Sequence, residues 1–154
     1  MSTSTLTMRD VVARQSLFSG ASPQTLDYLA EHVVEVRYAP GSCLWLPNSP
    51  ALLFVVVLDG ELEVIRTGQD FSVDLYVAGP GQAAGFDALQ AGARNGCTVI
   101  ARRETFVLAT KAEVIRHAVA SDVWLRERVA EVSRRHHNRL HQAAQASAER
   151  VRSR

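Results

Sequence analysis

Cysteine is scarce in this chain. Cys43 and Cys97 are the only two, too few and too far apart for a disulfide framework or a zinc site. Long apolar runs are missing too: the longest, Ala51–Leu58, falls far short of the roughly 20 residues a membrane helix needs. Net charge is nearly absent, at +1, so there is no global pull towards nucleic acid or a membrane. The opening MSTSTLTMRD has neither the basic start nor the apolar stretch of a signal peptide. These absences predict a cytoplasmic protein with reduced thiols and no membrane partner. No Ser/His/Asp, Cys/His or paired-carboxylate arrangement stands out, so no enzyme is expected.

What is present fits one soluble globular domain. At 154 residues, 47% apolar and 21% charged, the chain has ordinary composition. A domain of this size buries roughly 70% of its unfolded surface. Charge is unevenly spread: residues 126–154 hold eight arginines against Glu127, Glu131 and Glu149. Such a tail is ordinarily a solvated helix face, although it can contact phosphates non-specifically.

Hydrophobic periodicity divides the chain into helix, strands and helix. Arg9–Phe18 reads as a short helix broken by Ser19-Gly20. Ser22 is a good N-cap with Pro23 at the first helical position, and an amphipathic helix is predicted over Pro23–Val34. Strands are predicted at Val34–Tyr38, Ser42–Leu46, Leu52–Leu58, Glu61–Arg66, Phe71–Ala78, Cys97–Arg102 and Thr105–Ala109. Asp59-Gly60 is the strongest hairpin signal, and Thr67-Gly68-Gln69-Asp70 a second turn. Cys43 and Cys97 fall in strands, where a buried inert thiol is usual. Turn signals about every ten residues indicate a sandwich or barrel. Helix returns at Lys111–Ala120, and a long helix is predicted from Ser121 or Asp122 towards Ser147. Along it Leu125, Val129, Val132, His136 and Ala143 lie close to a heptad seam, with Leu140 one place off.

One segment interrupts the strands. GPGQAAGFDALQAGARNGCT, Gly79–Thr98, combines a Gly-Pro-Gly turn, a short helical segment at Gly85-Phe86-Asp87 and a lone Arg94. Glycines admit close backbone approach, a helix N-terminus favours an anion, and an arginine completes a phosphate cradle. The layout resembles the phosphate-binding cassette of the cyclic-nucleotide-binding domain of Crp/Fnr regulators. Phe18, Leu26, Tyr38-Ala39-Pro40-Gly41, Val57–Leu62, Gly79-Pro80-Gly81 and Gly85 match that family's landmarks in order and spacing. The resemblance covers about residues 15–142. It implies a mainly β fold with flanking helices: a double-stranded β-helix, or jelly roll, with N-terminal helices and a long C-terminal helix. The expected division is a lead-in over 1–20, a β-roll over 21–120, and a dimerisation helix with basic tail over 121–154.

The same resemblance implies cAMP or cGMP as ligand and Gly85, Phe86, Asp87, Ala88, Arg94 and Asn95 as the ligand-binding residues. The departures point elsewhere. Phe86 stands where the family has glutamate, Asp87 follows one residue later, and the Asp87–Arg94 interval is short. A plainer reading has Asp87 capping the short helix and Arg94 solvated or paired with it. GFDAL is closer to the oxygen-sensor branch, but residues 1–42 lack the cysteines of an iron–sulfur cluster. His137 and His141 lie four apart on one helix face, more in keeping with a solvated or dimer-seam face than with a metal site. His32 and His117 read as isolated. The leading expectation is a stand-alone sensory or regulatory domain with a degenerate cassette. It would act as a homodimer through Leu125, Val129, Val132 and His136, or through a regulatory protein partner. The alternatives are a genuine cAMP/cGMP receptor and the effector domain of a Crp/Fnr-type transcription regulator. Direct DNA binding is not expected without a helix-turn-helix domain.

Overall fold

A computed structural model describes residues 6–67 and 72–152. The turn expected at 68–70 lies outside them, as do the side chains of Leu140, His141 and Ala143. The described residues form α1 (Met8–Arg14), α2 (Pro23–His32), eight strands, α3 (Ala112–Ser121) and α4 (Val123–Arg152). The strands are β1 (Val34–Tyr38), β2 (Cys43–Trp45), β3 (Leu53–Asp59), β4 (Leu62–Thr67), β5 (Ser72–Ala78), β6 (Ala83–Ala84), β7 (Thr98–Ala101) and β8 (Thr105–Lys111). They pair antiparallel into two four-stranded sheets, ordered β1-β8-β3-β6 and β2-β7-β4-β5. This is the expected jelly roll.

The continuous apolar run of β3 has a simple cause. Phe54 and Val56 face a core built with the helices, whereas Val55 and Val57 face the space between the sheets. Both faces of the strand are covered, so neither can be polar. β8 repeats the arrangement, with Leu108 towards the helices and Val107 and Ala109 between the sheets.

The helix ends follow their sequence signals. Thr7 and Asp10 form a reciprocal capping box on α1. The Thr7 N–H bond, foremost, holds the Asp10 carboxyl below its usual range. α1 stops at Arg14, four residues short of the expected Phe18, and a series of turns carries Leu17 and Phe18 into the helical core. Ser22 accepts the Thr25 N–H at 3.2 Å and Pro23 opens α2. Asp122 caps α4, its Oδ1 accepting the Leu125 N–H at 3.0 Å.

Two expectations fail here. Asp59-Gly60 closes no hairpin: β3 and β4 belong to different sheets, and the turn is the corner between them. Gly60, at φ +107°, passes so close to Thr105 that a side chain would collide with it, and the Thr105 hydroxyl accepts the Glu61 N–H at 3.1 Å. Nor is Cys43 buried; its thiol is exposed on the edge strand β2, while Cys97 is half-buried.

Candidate ligand cleft and cassette

The cassette begins where Gly81, at φ +82°, turns the chain back beneath β3. Its N–H donates to the Val57 carbonyl at 2.8 Å, and the Val57 N–H returns to Gln82 at 2.9 Å. After β6 comes Gly85, at φ +95°. A Cβ there would stand 2.5 Å from the Leu53 carbonyl oxygen and 3.1 Å from the Trp45 ring. Only glycine fits both the dihedral and the space.

Phe86–Leu89 then forms a single 3-10 turn with Gly85 at its N-cap. Ala88 is fully buried and its N–H bonds the Gly85 carbonyl at 3.0 Å. Phe86 meets Phe54 edge-on, with ring centroids 5.4 Å apart. Asp87 does not cap the turn. Its Oδ2 accepts the Gly96 N–H at 3.0 Å, which ties the two ends of the cassette loop.

A cleft of about 300 Å³ opens between the second sheet, the cassette and α4. Val64 and Val99 contribute from the sheet, Phe86 and Asp87 from the cassette, and Ser133 and His136 from α4. His136 stacks on Phe86 at 4.7 Å and meets Tyr76 edge-on at 4.4 Å. Those three rings also border a neighbouring hollow of about 190 Å³ that holds Arg128 and Arg135, both bridged by Glu131. Cys97 faces the cleft. Burial foremost, and then the Asp87 carboxylate, pushes its thiol pKa up, with Arg66 opposing.

The expected ligand-binding residues are therefore divided. Gly85, Phe86 and Asp87 line the cleft, and Ala88 anchors the turn behind them. Arg94 lies on another face. It donates to the Asn48 carbonyl at 2.6 Å and borders a separate hollow with Glu113 and Arg116. No ion pair joins it to Asp87 among the described residues. Asn95 is buried, its amide donating to Ser49 Oγ at 3.1 Å and the Pro50 carbonyl at 3.3 Å.

The α4 residues expected at a dimer seam are placed differently. Leu125 and Val129 are buried within the single chain, Val132 packs against the same core, and His136 lines the cleft. The β-roll and neighbouring helices cover this stripe because α4 lies across β5 and α3. Trp45, Tyr76 and Ser133 were not among the expected cleft residues. For His136 a signal existed: it shares helical phase with Leu125, Val129 and Val132, which places it towards the roll. The remaining histidines form no metal site. His32 and His117 are not isolated but flank Tyr28, at 4.4 and 4.7 Å. His137 is exposed at the cleft, and no cluster of three metal-binding side chains occurs among the described residues.

The family model for the cyclic nucleotide-binding domain matches residues 35–122. The chain belongs to that family. Solved structures with the same fold include FixK2 from Bradyrhizobium japonicum, at 17% identity and TM-score 0.63. A cAMP-binding acyltransferase from Mycobacterium smegmatis matches at 22% and 0.70, and the sensor domain of the transcriptional regulator DNR from Pseudomonas aeruginosa at 16% and 0.71. These matches cover 71%, 83% and 82% of this chain respectively. The chain spans 55% of FixK2 and 40% of the acyltransferase, but 91% of the DNR sensor domain. No curated protein sequence matches it. Among the described residues no helix is long and apolar enough to cross a membrane.

Proposed function

We propose that the chain is a sensory or regulatory domain with a degenerate phosphate cassette, which signals through the packing of α4 on the cleft. One observation carries this reading: the Arg94 side chain is bonded to the Asn48 carbonyl on the outer face, away from the cleft. A cyclic phosphate beside Phe86 and Asp87 would meet a carboxylate where it needs a cation, and an uncompensated buried charge is costly. Catalysis forms no part of this role, which is cytoplasmic.

Calorimetric titration with cAMP and cGMP tests it. No saturable binding is expected, and Arg94→Ala changes nothing. The alternative, a genuine cyclic-nucleotide receptor, draws support from Gly85 and Asp87 lining the cleft. Saturable cAMP or cGMP binding that is lost in Arg94→Ala establishes that alternative and overturns the first reading.

The partner in this reading is a second copy of the chain or a regulatory protein. α4 continues to Arg152, 16 residues past His136, or about 24 Å at 1.5 Å per residue. Isolated helical segments of that length are marginal in water, which favours a neighbouring helix. Light scattering on the unmutated protein decides: a monomer removes the homodimer.

A further inference from the structure

The character of the cleft suggests which ligand it takes in place of a phosphate. This inference rests on the degenerate-cassette reading above. Four aromatic rings stand around the cavity: Trp45 over Gly85, Phe86 edge-on to Phe54, and Tyr76 and His136 against one another. Phe54 is fully buried, so Phe86 is held from behind as a fixed wall. Rings fixed in this way offer flat apolar faces at little cost in side-chain entropy.

The charges at the cleft have a definite sign. Asp87 is its one carboxylate among the described lining residues, and no arginine or lysine lines it. The Asp87 carboxylate is held in place by the Gly96 N–H, and its field reaches the Cys97 thiol inside the cleft. Arg66 on β4 offsets part of that field. Arg128 and Arg135 lie beyond the Tyr76–Phe86–His136 wall and are engaged by Glu131. Gln90 and Ser133 add uncharged polar groups at the rim.

We propose that the cleft binds a flat aromatic molecule carrying an uncharged or cationic N–H donor group, with the ring against Tyr76 and Phe86 and the donor directed at Asp87. Ligands are recognised by shape through the fixed rings and by sign through the carboxylate. Anionic ligands of the same shape are rejected, because the carboxylate repels them without a compensating cation at the site.

Three ligands of nearly identical shape isolate the charge: benzamidine, benzamide and benzoate, which carry +1, 0 and −1. Binding is read by calorimetry and by the fluorescence of Trp45 in a Trp124→Phe background, at about pH 8, where imidazole is ordinarily uncharged. Benzamidine is expected to bind about tenfold or more tightly than benzoate, the scale of one partly exposed charge contact, with benzamide between them. In Asp87→Asn that ratio should shrink to about threefold or less, since the amide can still accept the Gly96 N–H but carries no charge. Unchanged circular dichroism and melting temperature show that the variant is folded. Benzoate binding as tightly as benzamidine, no saturable binding by any of the three, or a ratio unmoved in Asp87→Asn overturns the proposal. The two readings fail separately. Arg94-dependent cAMP binding removes the degenerate cassette, whereas silence from cAMP and benzamidine alike removes only this inference.

Discussion

The Asp122 carboxylate accepts the backbone N–H of Ser22 at 2.8 Å, across 100 residues of sequence. The same side chain caps α4 through Leu125, so one carboxylate joins the starts of α2 and α4. Burial alone would raise its pKa. The hydrogen bonds from the Leu125 and Ser22 N–H groups, with those from the Thr25 and Ser22 side chains, outweigh burial and hold it below the usual carboxylate range.

The folded state therefore binds this proton less readily than the unfolded chain, whose carboxyl titrates near 3.8. The stabilisation is complete above that pH and disappears as pH falls through the lower folded-state value. Asp122→Ala should cost about 1–3 kcal/mol at neutral pH, from the lost cap and the stranded Ser22 N–H. In urea unfolding the gap to the unmutated protein should narrow below about pH 3.8. A gap that stays constant into acid would show that the charge contributes nothing.

Gly85→Ala should destabilise the domain by about 2 kcal/mol or more, because φ +95° and the nearby Leu53 carbonyl both exclude a side chain. Gly92→Ala is the control. It also has positive φ, at +76°, but open space around its Cα, so it should cost about 1 kcal/mol. Thermal melts of the two variants compare them directly.

Thiol labelling should separate the two cysteines. Cys43 is exposed, whereas Cys97 is half-buried with its pKa raised by burial and by Asp87. Since the thiolate is the reactive form, alkylation followed by mass spectrometry should modify Cys43 first. Asp87→Asn should speed the Cys97 reaction; equal rates in both proteins would show that the carboxylate field does not reach the thiol.

Leu125→Ala should lower stability by about 2–5 kcal/mol through a core cavity. Because Leu125 is covered within its own chain, the loss should not depend on protein concentration. Unfolding midpoints at two concentrations a hundredfold apart check this. A loss confined to the dilute sample would place Leu125 at a subunit seam.

The sequence made the architecture legible where a signal was local and periodic. Ser22-Pro23 opened a helix where expected, and the valines of β3 marked a strand covered on both faces. It misled where the deciding contact was distant. Asp59-Gly60 has hairpin chemistry, yet Thr105, 45 residues past Gly60, makes it a corner. β6 is two alanines with no periodicity of their own, and it becomes a strand by pairing with Val55 and Val56. The cassette was visible as a segment. The direction of Arg94 was not, because it is set by the carbonyl of Asn48, 46 residues upstream. Likewise the heptad-like spacing along α4 could not say whether its stripe faces a second copy or its own roll.

α4 is also a lever. Its grip on the body runs from Leu125 to His136, while 16 residues extend beyond. A tilt of about 5° pivoting near His136 would sweep the far end through about 2 Å, given a free arm of about 24 Å. His136 sits at that pivot, against the cleft. Whatever alters the rings there is read out not at the cavity but some two dozen ångströms away, magnified in proportion to the length of the arm.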